Sequence, residues 1–148
     1  MSNYNATGSG YLESSVLSAS PARLRLMLIE RAEETAARLI ACWQAKESLG
    51  SNEHSLKLLD LFTELLNGIT GGDSKTEKEL CGRISDLYVF LAKHLVAAEE
   101  MSDYGSIDEI KLVLSAEAET WRAVCAQDST APAAASNDLP AMSLNLQG

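Results

Sequence analysis

Two histidines, three cysteines and a surplus of carboxylates are the residues of this chain with the most capacity for chemistry. A carboxylate-bridged di-iron centre needs two Glu-x-x-His pairs on facing helices with two further inward glutamates, and neither His54 nor His94 has a glutamate three residues before it. The metal reading fails on count. Cys42, Cys81 and Cys125 are odd in number, widely spaced and without a Cys-x-x-Cys pair, which fits buried thiols in a reduced compartment better than a disulfide framework or a zinc site. A nucleophile would need a base beside it, and no glycine-rich phosphate loop or nucleophile elbow is present, since Gly71-Gly72 leads into a helix with no strand before it. The acidic pairs Glu33-Glu34 and Glu99-Glu100 read as solvated helix faces. No cofactor and no catalysis are expected.

The elements that carry these residues are helical. Alanine, leucine and glutamate dominate the middle of the chain and only 5% of residues are aromatic, against the β-branched and aromatic enrichment of sheets. Ser20-Pro21 marks the first start: a serine N-cap followed by proline at the position where a missing N–H costs nothing. Apolar residues then recur on two interleaved stripes to about residue 48, Leu24, Leu28, Ala32, Leu39 and Cys42 on one and Leu26, Ile29, Ala36, Ile40 and Trp43 on the other, with Gly50 as the stop. A second helix is expected from Asn52 to Thr70, on Leu58, Leu59, Phe62, Leu65, Leu66 and Ile69, with Leu56 and Leu61 off the stripe. Ser74-Lys75-Thr76-Glu77 is a capping box opening a third helix to about Met101, whose stripe is Leu80, Ile84, Leu87, Leu91, Leu95 and Ala98, with Tyr88 and Phe90 off it. A second box, Ser106-Ile107-Asp108-Glu109, is expected to open a fourth helix ending near Gln127.

Four amphipathic helices with short breaks bury their stripes together as an antiparallel four-helix bundle, so the fold expected is all-α. The bundle would span 21–127, after a short N-terminal helix or strap over 1–20 and before a disordered tail over 128–148, whose Ser/Thr/Ala/Pro/Asn composition cannot offset ordering entropy. With 12 basic and 21 acidic residues the net charge is −9, which repels phosphate backbones and anionic lipid, so neither nucleic acid nor membrane is an expected partner. The first ten residues carry neither a basic nor an apolar leader region, which points to a cytoplasmic protein.

The first three helices each carry more apolar residues than one core-facing stripe requires: Leu26, Ile29, Ile40 and Trp43; Leu56 and Leu61; Tyr88, Val89 and Phe90. An outward apolar face of this kind suits a helix-in-groove partner. Within the start motif, Tyr11 and Val16 precede Ser18-Ala19-Ser20-Pro21 at the spacing at which flagellin export chaperones of the FliS family carry a tyrosine and a valine before their helix start. The resemblance continues through Met27-Leu28, Glu64-Leu65, Leu87-Tyr88 with Phe90, Leu95, Ala98, Ile107, Glu109-Ile110 and Trp121. The chain departs from that pattern at Ile29-Glu30-Arg31-Ala32, where the family has Tyr-Asp/Asn-Gly-Ala/Cys, at Leu58-Leu59 after Lys57, where it has Ala-Gln, and at Glu99, where it has asparagine.

What the resemblance implies is a cytoplasmic helical bundle that binds the disordered C-terminal segment of flagellin, prevents its premature polymerisation and delivers it to the flagellar type III export apparatus. It further implies that Tyr11 and Val16 line or regulate the client groove. Met27, Leu61, Leu65, Tyr88 and Leu91 are the residues expected on its walls or floor. The alternative is a helical adaptor or a homodimer that buries the same stripes against its own copy.

Overall fold

The computed structural model describes residues 20–69 and 73–130, with side chains to residue 127. Tyr11, Val16, the expected strap and nearly all of the expected tail lie outside them. Four helices make up the described chain: α1 Pro21–Gln44, α2 Glu53–Asn67, α3 Lys75–Glu99 and α4 Tyr104–Thr130.

Three starts follow their sequence signals. Ser20 caps α1, its side chain accepting from the Arg23 amide at 3.2 Å, with Pro21 at the first helical position. Asn52 caps α2 in a reciprocal box with Ser55, and Ser74 does the same for α3 with Glu77. The fourth start differs. In place of the box expected from Ser106 to Glu109, the helix is capped one turn earlier: the Asp103 carboxylate accepts from the Gly105 amide and from the Ser106 hydroxyl, each at 3.0 Å, and α4 begins at Tyr104. Glu109 is left to pair with His94 at 2.8 Å.

The first stop differs as well. α1 ends at Gln44 rather than near residue 48, in a Schellman turn in which the Lys46 amide donates to the Trp43 carbonyl and the Glu47 amide to the Cys42 carbonyl, each at 3.0 Å. Lys46 supplies the left-handed residue, at φ 58°. The same construction ends α3, with Ser102 at φ 49° and the Asp103 amide donating to the Ala98 carbonyl.

Cross-helix contacts fix the topology. Arg25 near the start of α1 meets Leu65 near the end of α2, Phe62 meets Tyr88, His94 meets Glu109 while Tyr88 meets Glu117, and Glu33 meets Ser115 while Glu30 meets Arg122. Each pair runs in opposite chain directions. The helices therefore form a square antiparallel bundle in which α1 packs on α2 and α4, and α3 closes the square between α2 and α4. At one pole the two connectors are locked together, since the Gly50 amide donates to the Ser102 hydroxyl at 2.7 Å and the Trp43 indole to the Gly50 carbonyl at 3.1 Å.

The core is a single cluster that includes Ile29, Leu39, Trp43, Leu58, Phe62, Leu65, Tyr88, Leu91, Leu95, Ile107, Ile110, Leu114 and Trp121. Cys42, Cys81 and Cys125 are all buried. Leu61 and Tyr88, expected off their stripes, belong to this core, because two inward rows on each helix face two neighbours rather than one. Conversely Ile84 and Leu87 on α3 are only partly buried. α2 is also the shortest helix, 15 residues against 24, 25 and 27 in the others, about 22 Å against about 36–40 Å, so the first turns of α3, before Ile84, extend past its end.

Candidate interaction surface

Each of the two inner helices has two flanks, and the contacts settle which neighbour each flank meets. On α2, Lys57, Leu61 and Glu64 face α1, where a shallow cleft brings them together with Leu28 and Arg31. On α3, His94 faces α4 through Glu109. The opposite flanks, Leu59 and Leu66 on α2 and Val89, Ala92 and Val96 on α3, therefore run along the α2–α3 seam at helical spacings of three, four and seven, while Leu56 turns to the outer face of α2. The Phe62–Tyr88 ring contact, 6.2 Å between centroids, sets the register, with Leu59 level with Leu91 and Leu66 with Ile84.

This seam is apolar and open. Val96 is 50% and Val89 39% exposed, while Leu59, Leu66 and Ala92 are half-buried against the core. The other seams are bridged by polar side chains: α1–α4 by Ser115 to Glu33 at 2.7 Å and Arg122 to Glu30 at 3.3 Å, α3–α4 by Tyr88 to Glu117 at 3.0 Å and by the His94–Glu109 pair, and α1–α2 by Arg25 to the Leu65 carbonyl at 2.8 Å. Among the described residues no hydrogen bond or ion pair joins α2 to α3. Side chains of this kind left in water forgo roughly 1.5–3 kcal/mol each on full burial, so the seam is where a foreign apolar stripe gains most.

Of the residues expected at the groove, Leu61, Leu65, Tyr88 and Leu91 are 3% exposed or less and form the bundle core, and Met27 on α1 is half-buried. Leu61 also reaches the floor of the α1–α2 cleft, whose rim is polar, with Arg31, Lys57, Asp60 and Glu64. The exposed members of the apolar surplus are Leu56, Val89 and Phe90. Phe90 lies beyond the seam, stacked on His94 at 5.4 Å.

Beneath the surface lies a residue the apolar pattern passed over. Arg25 is 3% exposed, with its guanidinium carbon 5.1 Å from the Tyr88 ring centre and 5.6 Å from that of Trp121. Nη1 donates to the Leu65 carbonyl, whereas Nε and Nη2 have no hydrogen-bond partner among the described residues. Burial lowers the Arg25 pKa from its ordinary value, opposed by Tyr88 and by Glu117, and the group remains a cation. The signal was its position: Arg25 falls three residues after Ala22 and four before Ile29, on the row that faces the core. No group of three or more histidine, cysteine, aspartate or glutamate side chains converges on a metal-sized site among the described residues, and no helix is long and apolar enough to cross a membrane.

A family model described as Flagellar protein FliS matches residues 3–128. The chain is also similar to the flagellar secretion chaperone FliS of Salmonella typhimurium strain LT2, with 28% identity over 114 residues that cover 76% of this chain and 82% of that protein.

Proposed function

This chain belongs to the FliS family of flagellar proteins, and on that premise we propose that it is a cytoplasmic flagellar secretion chaperone, without enzymatic activity, whose α2–α3 seam holds the disordered C-terminal segment of flagellin. The observation that carries the reading is the seam itself: a helically spaced apolar flank on each of two adjacent helices, exposed at Val89 and Val96, with no polar tie across it among the described residues. A disordered client that folds into an amphipathic helix can lay its apolar row there, and the ordering entropy it loses keeps the complex reversible. Flagellin so held has its polymerising segment masked until the flagellar type III export apparatus receives it. Tyr11 and Val16, outside the described residues, keep the assignment that the family resemblance implies, as residues that line or regulate the groove. Leu61, Leu65, Tyr88 and Leu91 support the groove from beneath rather than forming its walls.

Calorimetry with a flagellin C-terminal peptide tests this directly. The wild-type chain should bind at micromolar concentration or tighter. The double variant Val89→Asp, Val96→Asp should keep its urea midpoint, since both side chains are exposed, and lose at least about tenfold in affinity, the factor that ~1.4 kcal/mol carries. Absence of heat with the wild type, or undiminished affinity in the double variant, removes the seam as the docking surface. Light scattering decides the homodimer alternative: a stable dimer that loses its partner copy in the same double variant would assign the seam to self-association.

A further inference from the structure

The helix that forms one wall of the seam is the least tethered of the four. At its N-terminal end α2 is secured through Asn52, whose side-chain amide donates to the Ser48 carbonyl at 2.8 Å and to Cys42 Sγ at 3.6 Å. At its other end α2 stops at Asn67, well short of its neighbours. Among the described residues, the polar tie that reaches its C-terminal half from another helix is the Arg25 bond to the Leu65 carbonyl. This carbonyl lies in the last turn, where backbone oxygens lack intrahelical partners and the helix dipole favours a cation.

Stability alone does not account for the arginine. Burying a guanidinium that leaves Nε and Nη2 unpaired is costly, and well-packed apolar residues in place of a buried charged group are often neutral or stabilising. What the guanidinium supplies, and an aliphatic side chain cannot, is a fixed directional donor. The Tyr88 ring on α3 and the Trp121 ring on α4 flank it through cation–π contacts, and Tyr88 is itself held by its bond to Glu117 on α4. Three helices thus orient one donor toward the end of the fourth.

We infer that Arg25 is a positioning residue for the α2–α3 seam: clamped by Tyr88 and Trp121, it fixes the C-terminal turn of α2 through the Leu65 carbonyl and so sets the spacing between Leu66 and the Val89–Ala92 wall. This rests on the reading of the seam as the docking surface. It does not require Arg25 to touch the client.

Two variants of the full chain test it, Arg25→Met and Arg25→Lys. With the methionine, the urea midpoint should hold or rise, while amide exchange at Gly68 and Ile69, whose amides close the last turn on Glu64 and Leu66, should quicken about tenfold and the flagellin C-terminal peptide should bind about tenfold more weakly, in line with loss of one charge-assisted hydrogen bond. The lysine keeps a donor and a cation, so it should restore most of both readouts. Wild-type exchange at Gly68 and Ile69 in Arg25→Met overturns the inference, as does a urea midpoint that falls in step with affinity, which is the signature of a merely structural role. If the peptide binds neither variant nor wild type, the docking reading fails by itself, and the exchange rates still decide whether Arg25 fixes α2.

Discussion

The Tyr88 phenol shows how one buried polar group writes a pH dependence into the bundle. Desolvation, reinforced by the nearby Glu117 carboxylate and opposed by Arg25, raises its pKa well above the ordinary 10.0. A raised folded-state value means the stabilisation is complete below about pH 10 and is lost as the pH climbs above it, because only the unfolded chain then ionises freely. Urea midpoints measured on either side of pH 10 should fall more steeply with pH in the wild type than in Tyr88→Phe. At neutral pH that variant should cost only about 1 kcal/mol, since Glu117 is half-exposed and water replaces the phenol. Glu77 behaves in the opposite sense. Amide donors of Ser74 and Asp73, at 3.1 and 2.8 Å, lower its pKa from the ordinary 4.5, so the capping box is intact above that value and is lost as the pH falls through the lower, folded one. A carbon-13 titration of the Glu77 carboxyl should show a midpoint below 4.5 in the folded chain, moved back toward that value in urea that unfolds the bundle and frees the two amides.

At the scale of the element, helix starts were legible and helix stops were not, for a definite reason. Ser20-Pro21 and Ser74…Glu77 announce themselves by side chains suited to orphan N–H groups, and both act as read. The ends of α1 and α3 use Lys46 and Ser102 in the left-handed conformation, where glycine is the residue a sequence reading looks for. Gly50, the expected stop, has φ 74° but serves in the connector instead. Holding a lysine in that region costs roughly 1 kcal/mol of backbone strain, so Lys46→Gly should be stabilising by roughly 0.5–1 kcal/mol in urea unfolding, in spite of the added freedom of the unfolded chain. The start of α4 was misplaced because Asp103, three residues before Ser106, caps the helix one turn earlier, accepting from the Gly105 amide and the Ser106 hydroxyl.

For the whole molecule, the all-α fold and its antiparallel square were readable from periodicity, since four stripes of this kind have few other ways to meet. The walls of the proposed docking surface were not. Leu56 and Leu61 both fall outside the first apolar stripe, yet five residues on a helix turn through about 140° at ~3.6 residues per turn, enough to turn one out to solvent and the other against α1. Which flank remains open depends on where the third and first helices stand, and that is a property of the assembled bundle. Arg25 was passed over for a related reason: its charge argued for solvent while its place in the row argued for the interior, and the partners that reconcile the two, Tyr88, Trp121 and the Leu65 carbonyl, lie on three other helices. The two connectors joined through Gly50 and Ser102 tie the bundle at one pole like the spring of a clothes peg, and α2 ends short at the other. A guest strand drawn out past that short end would peel off one turn at a time, whereas traction toward the tied pole would load every contact together. Tethering flagellin's tail by one terminus and then the other in an optical trap should accordingly give two rupture forces, the smaller for extraction past Asn67.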